Sequence, residues 1–215
     1  MKKIIFLFAC VMTILLTSCN SCGSQNQETE KKDSVEAKGG LVVENLISTD
    51  RQHMFLHYKN DYRWYETCIL MKNFLDEEDN EEIAGVSNVF QYIFNEVETE
   101  TETSFDVNVV LFSHTPDTTA IEVKDGFWVG DSPLNEEEIK VTFAEAFEKL
   151  MESNYPKPHS RHCVLRREVG PIGGVAPQYI FGNQKAQIYV DAKTGNVTDK
   201  NPAFGDFGMP LGEWP

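Results

Sequence analysis

Thr142-Phe143-Ala144-Glu145-Ala146-Phe147-Glu148-Lys149-Leu150-Met151 is the stretch on which the fold reading turns. Thr142 followed three residues later by Glu145 is a capping box, in which the hydroxyl accepts a first-turn amide and the carboxylate reaches back to the cap. Phe143, Ala146, Phe147, Leu150 and Met151 then recur at helical spacing and make one apolar face, with Glu148, Lys149 and Glu152 opposite. Asn154 and Pro156 end the helix. Downstream come strand-like runs: Arg161 to Val169, broken at Gly170-Pro171, then Gln178 to Phe181, then 186–191. Ala192-Lys193-Thr194-Gly195-Asn196 is a turn, and Val197-Thr198 closes the series. The order is a helix followed by three or four antiparallel strands.

Upstream, 41–134 reads as strands throughout. Leu41-Val42-Val43 and 51–58 (RQHMFLHY) open it, and Lys59-Asn60-Asp61 turns the chain. Segments 62–75, 84–97 and 105–114 are rich in aromatic and β-branched residues. Asp125-Gly126 between 118–124 and 127–129 is a hairpin dipeptide. The expectation is an antiparallel meander of about five strands. Two acidic runs, 76–82 (DEEDNEE) and 96–102 (EVETETE), punctuate it. Neither has calcium-loop spacing, and successive turns of a meander lie at opposite ends, so both read as solvated hairpin tips. The fold class is therefore α+β: an antiparallel β-meander over 41–134, then a helix plus antiparallel strands over 135–215, the halves forming one compact unit. Whether the first half is a diverged repeat of the second stays open from the sequence.

The run Val141 to Leu150, the strands after it, and Tyr189-Val190-Asp191-Ala192-Lys193-Thr194-Gly195 with Val197 together resemble the PepSY and PepSY-like domains of bacterial envelope proteins. The resemblance covers roughly 141–198. It implies a helix packed on antiparallel strands and a binding role, and it brings no catalytic residues to transfer. The chain departs from the family in the long loop 170–177 and in lacking an attached protease.

The N-terminus reads as an address. Lys2 and Lys3 precede an apolar run from Ile4 to Leu16, too short for the roughly 20 residues of a permanent bilayer helix. Leu16-Thr17-Ser18-Cys19 resembles the lipobox of bacterial lipoproteins, which implies cleavage after Ser18 and acylation of Cys19. On this reading 1–18 is the signal peptide and 19–40, nearly free of large apolar side chains, is a flexible tether. Two acyl chains, each buried CH₂ worth about 0.8 kcal/mol, make a stable anchor. Asn20 after the acylated Cys19 resembles the signal for outer-membrane sorting. Periplasmic and surface orientations stay open.

Composition narrows the partners. The chain has 215 residues, 19 Lys plus Arg against 34 Asp plus Glu, and a net charge of −15. Such a surface opposes nucleic acid, and it opposes anionic lipid docked through a basic patch. The partners expected are the membrane, through the N-terminal lipid, and an envelope protein or peptide. The oligomeric state is not readable from sequence.

Of the five cysteines, Cys68 and Cys163 fall in the folded part, where export would permit a disulfide. Two buried free thiols are the competing reading. His159 and His162 are candidate zinc ligands, weakened by the lack of a second ligand pair nearby. No cofactor motif, nucleophile elbow or metalloprotease signature occurs, which argues against an enzyme and leaves a small envelope hydrolase as the weakest alternative. Arg161, Arg166 and Arg167 form one local basic run. Tyr62, Trp64 and Trp128 are candidate stacking platforms, so a carbohydrate-binding lipoprotein is the second alternative. The tail from Asn201 to Pro215 is expected to pack across the domain. The leading expectation is an envelope-anchored, non-enzymatic lipoprotein that binds a protein or peptide partner.

Overall fold

The structure, a computed structural model, describes residues 41–58, 61–78, 80–98, 103–128 and 132–204, with backbone alone over 94–98 and 103–106. The proposed signal peptide, the tether with Cys19, and tail residues 205–215 lie outside the described residues.

Among the described residues, two helices and eight strands fall into two like-ordered sets. The first is α1 (Val43–Tyr58), β1 (Tyr62–Met71), β2 (Ile83–Glu98), β3 (Thr103–His114) and β4 (Thr119–Asp125). The second is α2 (Phe143–Glu152), β5 (His162–Arg166), β6 (Gln178–Asn183), β7 (Ala186–Asp191) and β8 (Val197–Thr198), with a short 3₁₀ turn at Glu136–Glu138 between the sets. All strands join one antiparallel sheet in the order β4-β3-β2-β1-β5-β6-β7-β8. Each set is thus a helix followed by a four-stranded meander, and the two meanders meet antiparallel along their first strands. The first half therefore repeats the helix-plus-four-strands order of the second.

This corrects the strand assignment at 51–58. The segment lies in α1, whose buried face is Val43, Ile47, Asp50 and Met54. A charged residue occupies an inward position, while Phe55 and Leu56 stay exposed, so the apolar stripe that announces a helix is blurred. The Asp125-Gly126 hairpin is corrected too. Gly126 adopts φ 121° and donates to Val107, which closes β4, and no strand follows at 127–128.

The second half shows the expected helix-then-strands order, although Met151 of the expected apolar face is exposed and the strand expected over 161–169 is confined to His162–Arg166. Glu145 N–H donates to Thr142 Oγ1 at 3.2 Å and Thr142 N–H to Glu145 Oε2 at 2.8 Å, the reciprocal capping box. In the 191–196 turn, Asp191 Oδ1 accepts the amides of Lys193 and Thr194 at 2.9 and 2.7 Å, and Gly195 takes φ 76°.

Both helices lie on one face of the sheet. A single row crosses all eight strands on that face: Ile121, Phe112, Asn88, Thr67, Leu165, Tyr179, Val190, Val197. Met54 and Ile47 of α1 and Phe143, Phe147 and Leu150 of α2 pack with its buried members in one core. Phe143 stands within 6.3 Å of the rings of Phe147, Tyr179 and Phe181. Glu44 of α1 accepts Phe143 N–H at 2.6 Å, tying the starts of the two helices. α1 contacts β1 and β2, and α2 contacts β7, so cover thins toward β4.

Candidate binding surface

The aromatic candidates are placed unequally. Trp64 is only 4% exposed, and its indole N–H lies 3.2 Å from both Glu66 O and Thr67 Oγ1. It is a core residue and offers no stacking face, which corrects the platform reading. The cause is a β-bulge between Trp64 and Glu66 that puts Trp64 and Thr67 on the same face three residues apart, against strict alternation. Tyr62 is partly buried edge-on against Phe90, with centroids 5.9 Å apart. Trp128 is half-buried, and its backbone N–H donates to Gln91 Oε1 at 2.9 Å.

Cys68 and Cys163 sit on paired strands but cannot bridge. Cys68 faces Val164 and Ile69 faces Cys163, so the two thiols point to opposite sides of the sheet. Both are free thiols. Cys68 lies 2.8 Å from Glu66 Oε1, and burial holds the Cys163 thiol well above its ordinary pKa. The disulfide reading is corrected accordingly.

His159 stacks on Phe74 at 4.1 Å and pairs with Asp76 at 3.0 Å, whereas His162 is exposed on β5. They do not converge with a third ligand: among the described residues no group of three or more His, Cys, Asp or Glu could hold a metal. The basic run is likewise spent internally. Arg161 donates to Met71 O, Arg166 pairs with Glu168 at 2.6 Å, and Arg167 pairs with Glu138 and donates to Val175 O.

Sequence reasoning missed a buried polar chain. Asp50 Oδ2 accepts Asn88 Nδ2 at 2.7 Å and lies 2.8 Å from His114 Nε2. His114 Nδ1 lies 3.0 Å from Thr119 Oγ1, and Thr67 Oγ1 lies 2.5 Å from Asn88 Oδ1. Burial raises the Asp50 carboxyl above its ordinary pKa, although Asn88 and His114 oppose the shift. The chain joins α1 to β1, β2 and β3 and ends at the exposed Thr119. The only signal available was an Asp in register with the apolar positions of α1.

The most open feature of the described fold is β4. It forms one edge of the sheet, and all seven residues are exposed. Ile121 and Val123, 48% and 49% exposed, project from the helix-bearing face beyond the reach of α1. On the other face Glu122 and Lys124 pair at 3.1 Å. The ladder also fixes where the backbone points. Thr115 N–H donates to Thr118 O and Gly126 N–H to Val107 O. In an antiparallel ladder exchanging pairs alternate, so Ala120, Glu122 and Lys124 bond β3 while Thr119, Ile121, Val123 and Asp125 direct N–H and C=O outward. Such an edge is a template for another strand unless blunted by proline, a bulge or charge, and on β4 the charges Glu122 and Lys124 are paired with each other. β4 carries a register-regular ladder with no proline.

No protein-family model, no curated protein and no solved structure matches this chain.

Proposed function

We propose that this chain is a lipid-anchored, non-enzymatic binding domain of the bacterial envelope, whose protein partner adds an extended segment to β4. The observation that carries the reading is the wholly exposed edge strand with outward amides and two half-exposed β-branched side chains. Strand addition needs no catalytic group, since main-chain hydrogen bonds supply affinity and alternate side chains supply selectivity. The lipobox resemblance at 16–19 supports anchoring through Cys19, and the PepSY-like resemblance over 141–198 supports a binding role. Burial of Trp64 weakens the carbohydrate alternative, because a platform needs an accessible ring.

The test has two arms. Labelled palmitate should enter the wild-type chain and fail to enter Cys19→Ser. A photo-crosslinking residue at Ile121 or Val123 should capture a protein in the intact envelope, whereas one at Glu148, exposed on α2, should not. Equal labelling of both palmitate samples overturns the anchor. Crosslinks at Glu148 matching those at β4, or none at β4, overturn the binding surface.

A further inference from the structure

We infer that the strand added to β4 is β4 of a second copy, so that two chains join edge to edge about a twofold axis. This rests on the strand-addition reading above and names its partner.

The argument is self-complementarity. The outward backbone groups belong to Thr119, Ile121, Val123 and Asp125, so an incoming strand must align its own outward residues with these. Antiparallel alignment of β4 with itself does so when Val123 faces the partner's Val123 and Ile121 faces the partner's Asp125. In that register Glu122 stands opposite the partner's Lys124, and Lys124 opposite the partner's Glu122. The existing Glu122–Lys124 pair then becomes a closed square of alternating charge. Opposite charges directly across an antiparallel pair stabilise it, and like charges oppose it. On the other face the two valines meet at the axis with each Ile121 diagonal to the partner's Val123, covering apolar surface that α1 leaves open. A C₂ contact of this kind is isologous and closes at two copies.

Net charge does not forbid the contact. Exposed charges are screened beyond about 8 Å at physiological salt, so the groups at the edge matter most. There Glu122 and Lys124 balance, and Asp125 Oδ1 lies 3.0 Å from the Asn108 amide nitrogen once that side chain is turned to its satisfied orientation.

Sedimentation of the full-length chain in detergent tests this, with three variants. The wild type is expected to be a dimer. Val123→Pro removes an outward N–H that β3 does not use, a position where an edge strand tolerates proline. It is expected to be monomeric while still folded, with a cooperative melting transition that no longer depends on concentration. Glu122→Lys places lysine opposite the partner's Lys124 and should weaken the dimer about tenfold. Adding Lys124→Glu restores the alternation and should return the dissociation constant to within about threefold of wild type. Should Val123→Pro unfold the domain, the charge swap still decides. A monomeric wild type, a dimer indifferent to Val123→Pro, or a swap that rescues nothing overturns the inference. If a crosslinker at Ile121 captures only a different protein, strand addition stands and the second copy is overturned. If it captures nothing, both fall.

Discussion

Asp50 of α1 and His114 of β3, 64 residues apart in sequence, meet at 2.8 Å between Oδ2 and Nε2 with both side chains almost fully buried. The same Asp50 oxygen receives the Asn88 amide of β2, so one carboxylate joins a helix to two strands. The first helix is therefore fixed by a polar anchor as well as by Val43, Ile47 and Met54.

Removing that carboxylate leaves the Asn88 amide without its acceptor and the His114 ring without its partner, both buried. Losing one partner of a buried pair costs about 3 kcal/mol, because the remaining group stays desolvated. Asp50→Ala should lower stability by about that amount in urea unfolding, and Asp50→Asn by less, since its amide oxygen can still accept. A change within about 0.5 kcal/mol for Asp50→Ala would place Asp50 among ordinary surface positions.

Tyr189 supplies a pH dependence of known sign. Burial, reinforced by the Glu168 carboxylate, pushes its phenol up to about 12 from 10.0, while Arg166 and an Asn201 hydrogen bond oppose the shift. A raised folded pKa means the fold favours the protonated phenol. Its contribution is complete below pH 10 and is lost as pH rises through about 12. Phenolate absorbance should lose one late-titrating group in Tyr189→Phe, while Tyr179, held up by its own burial, still titrates late. That variant should also show a shallower loss of stability across the same alkaline window.

Gly182 sits at φ 121°, and a Cβ there would approach Ala186 O to 2.1 Å. Both the torsion and the approach exclude any other residue without movement of the β6–β7 hairpin. Gly182→Ala should cost about 3 kcal/mol. Gly174→Ala, at φ 73° with open space around the added atom, should cost closer to 1 kcal/mol. Equal melting-temperature losses for the two would contradict the contact argument.

The two thiols should behave independently. Cys163 is fully buried with a raised pKa, so a maleimide reagent should reach it only on unfolding. Mild oxidation of the folded chain should form no Cys68–Cys163 bridge, because the thiols face opposite sides of the sheet. A peptide map containing that bridge in otherwise native protein would mean the β1–β5 register is different.

The second half was legible because its signals are local. The Thr142–Glu145 box and the Asp191–Gly195 turn each satisfy backbone groups within a few residues, so type and position together announce them. The α+β class and the strands after α2 followed from the same local periodicity. The sequence alone also yields the strong acidity and the lipobox-like stretch, which depend only on composition and order. Tertiary structure decided the rest. α1 is hidden in sequence because its inward face includes Asp50, whose acceptors and donors come from strands that are distant in the chain. Trp64 is buried because a bulge changes the face on which it falls, and the cysteines are kept apart by the register between β1 and β5. That β4 keeps one row of its amides outward is a property of the sheet order, which long-range pairing sets and no local run of residues encodes.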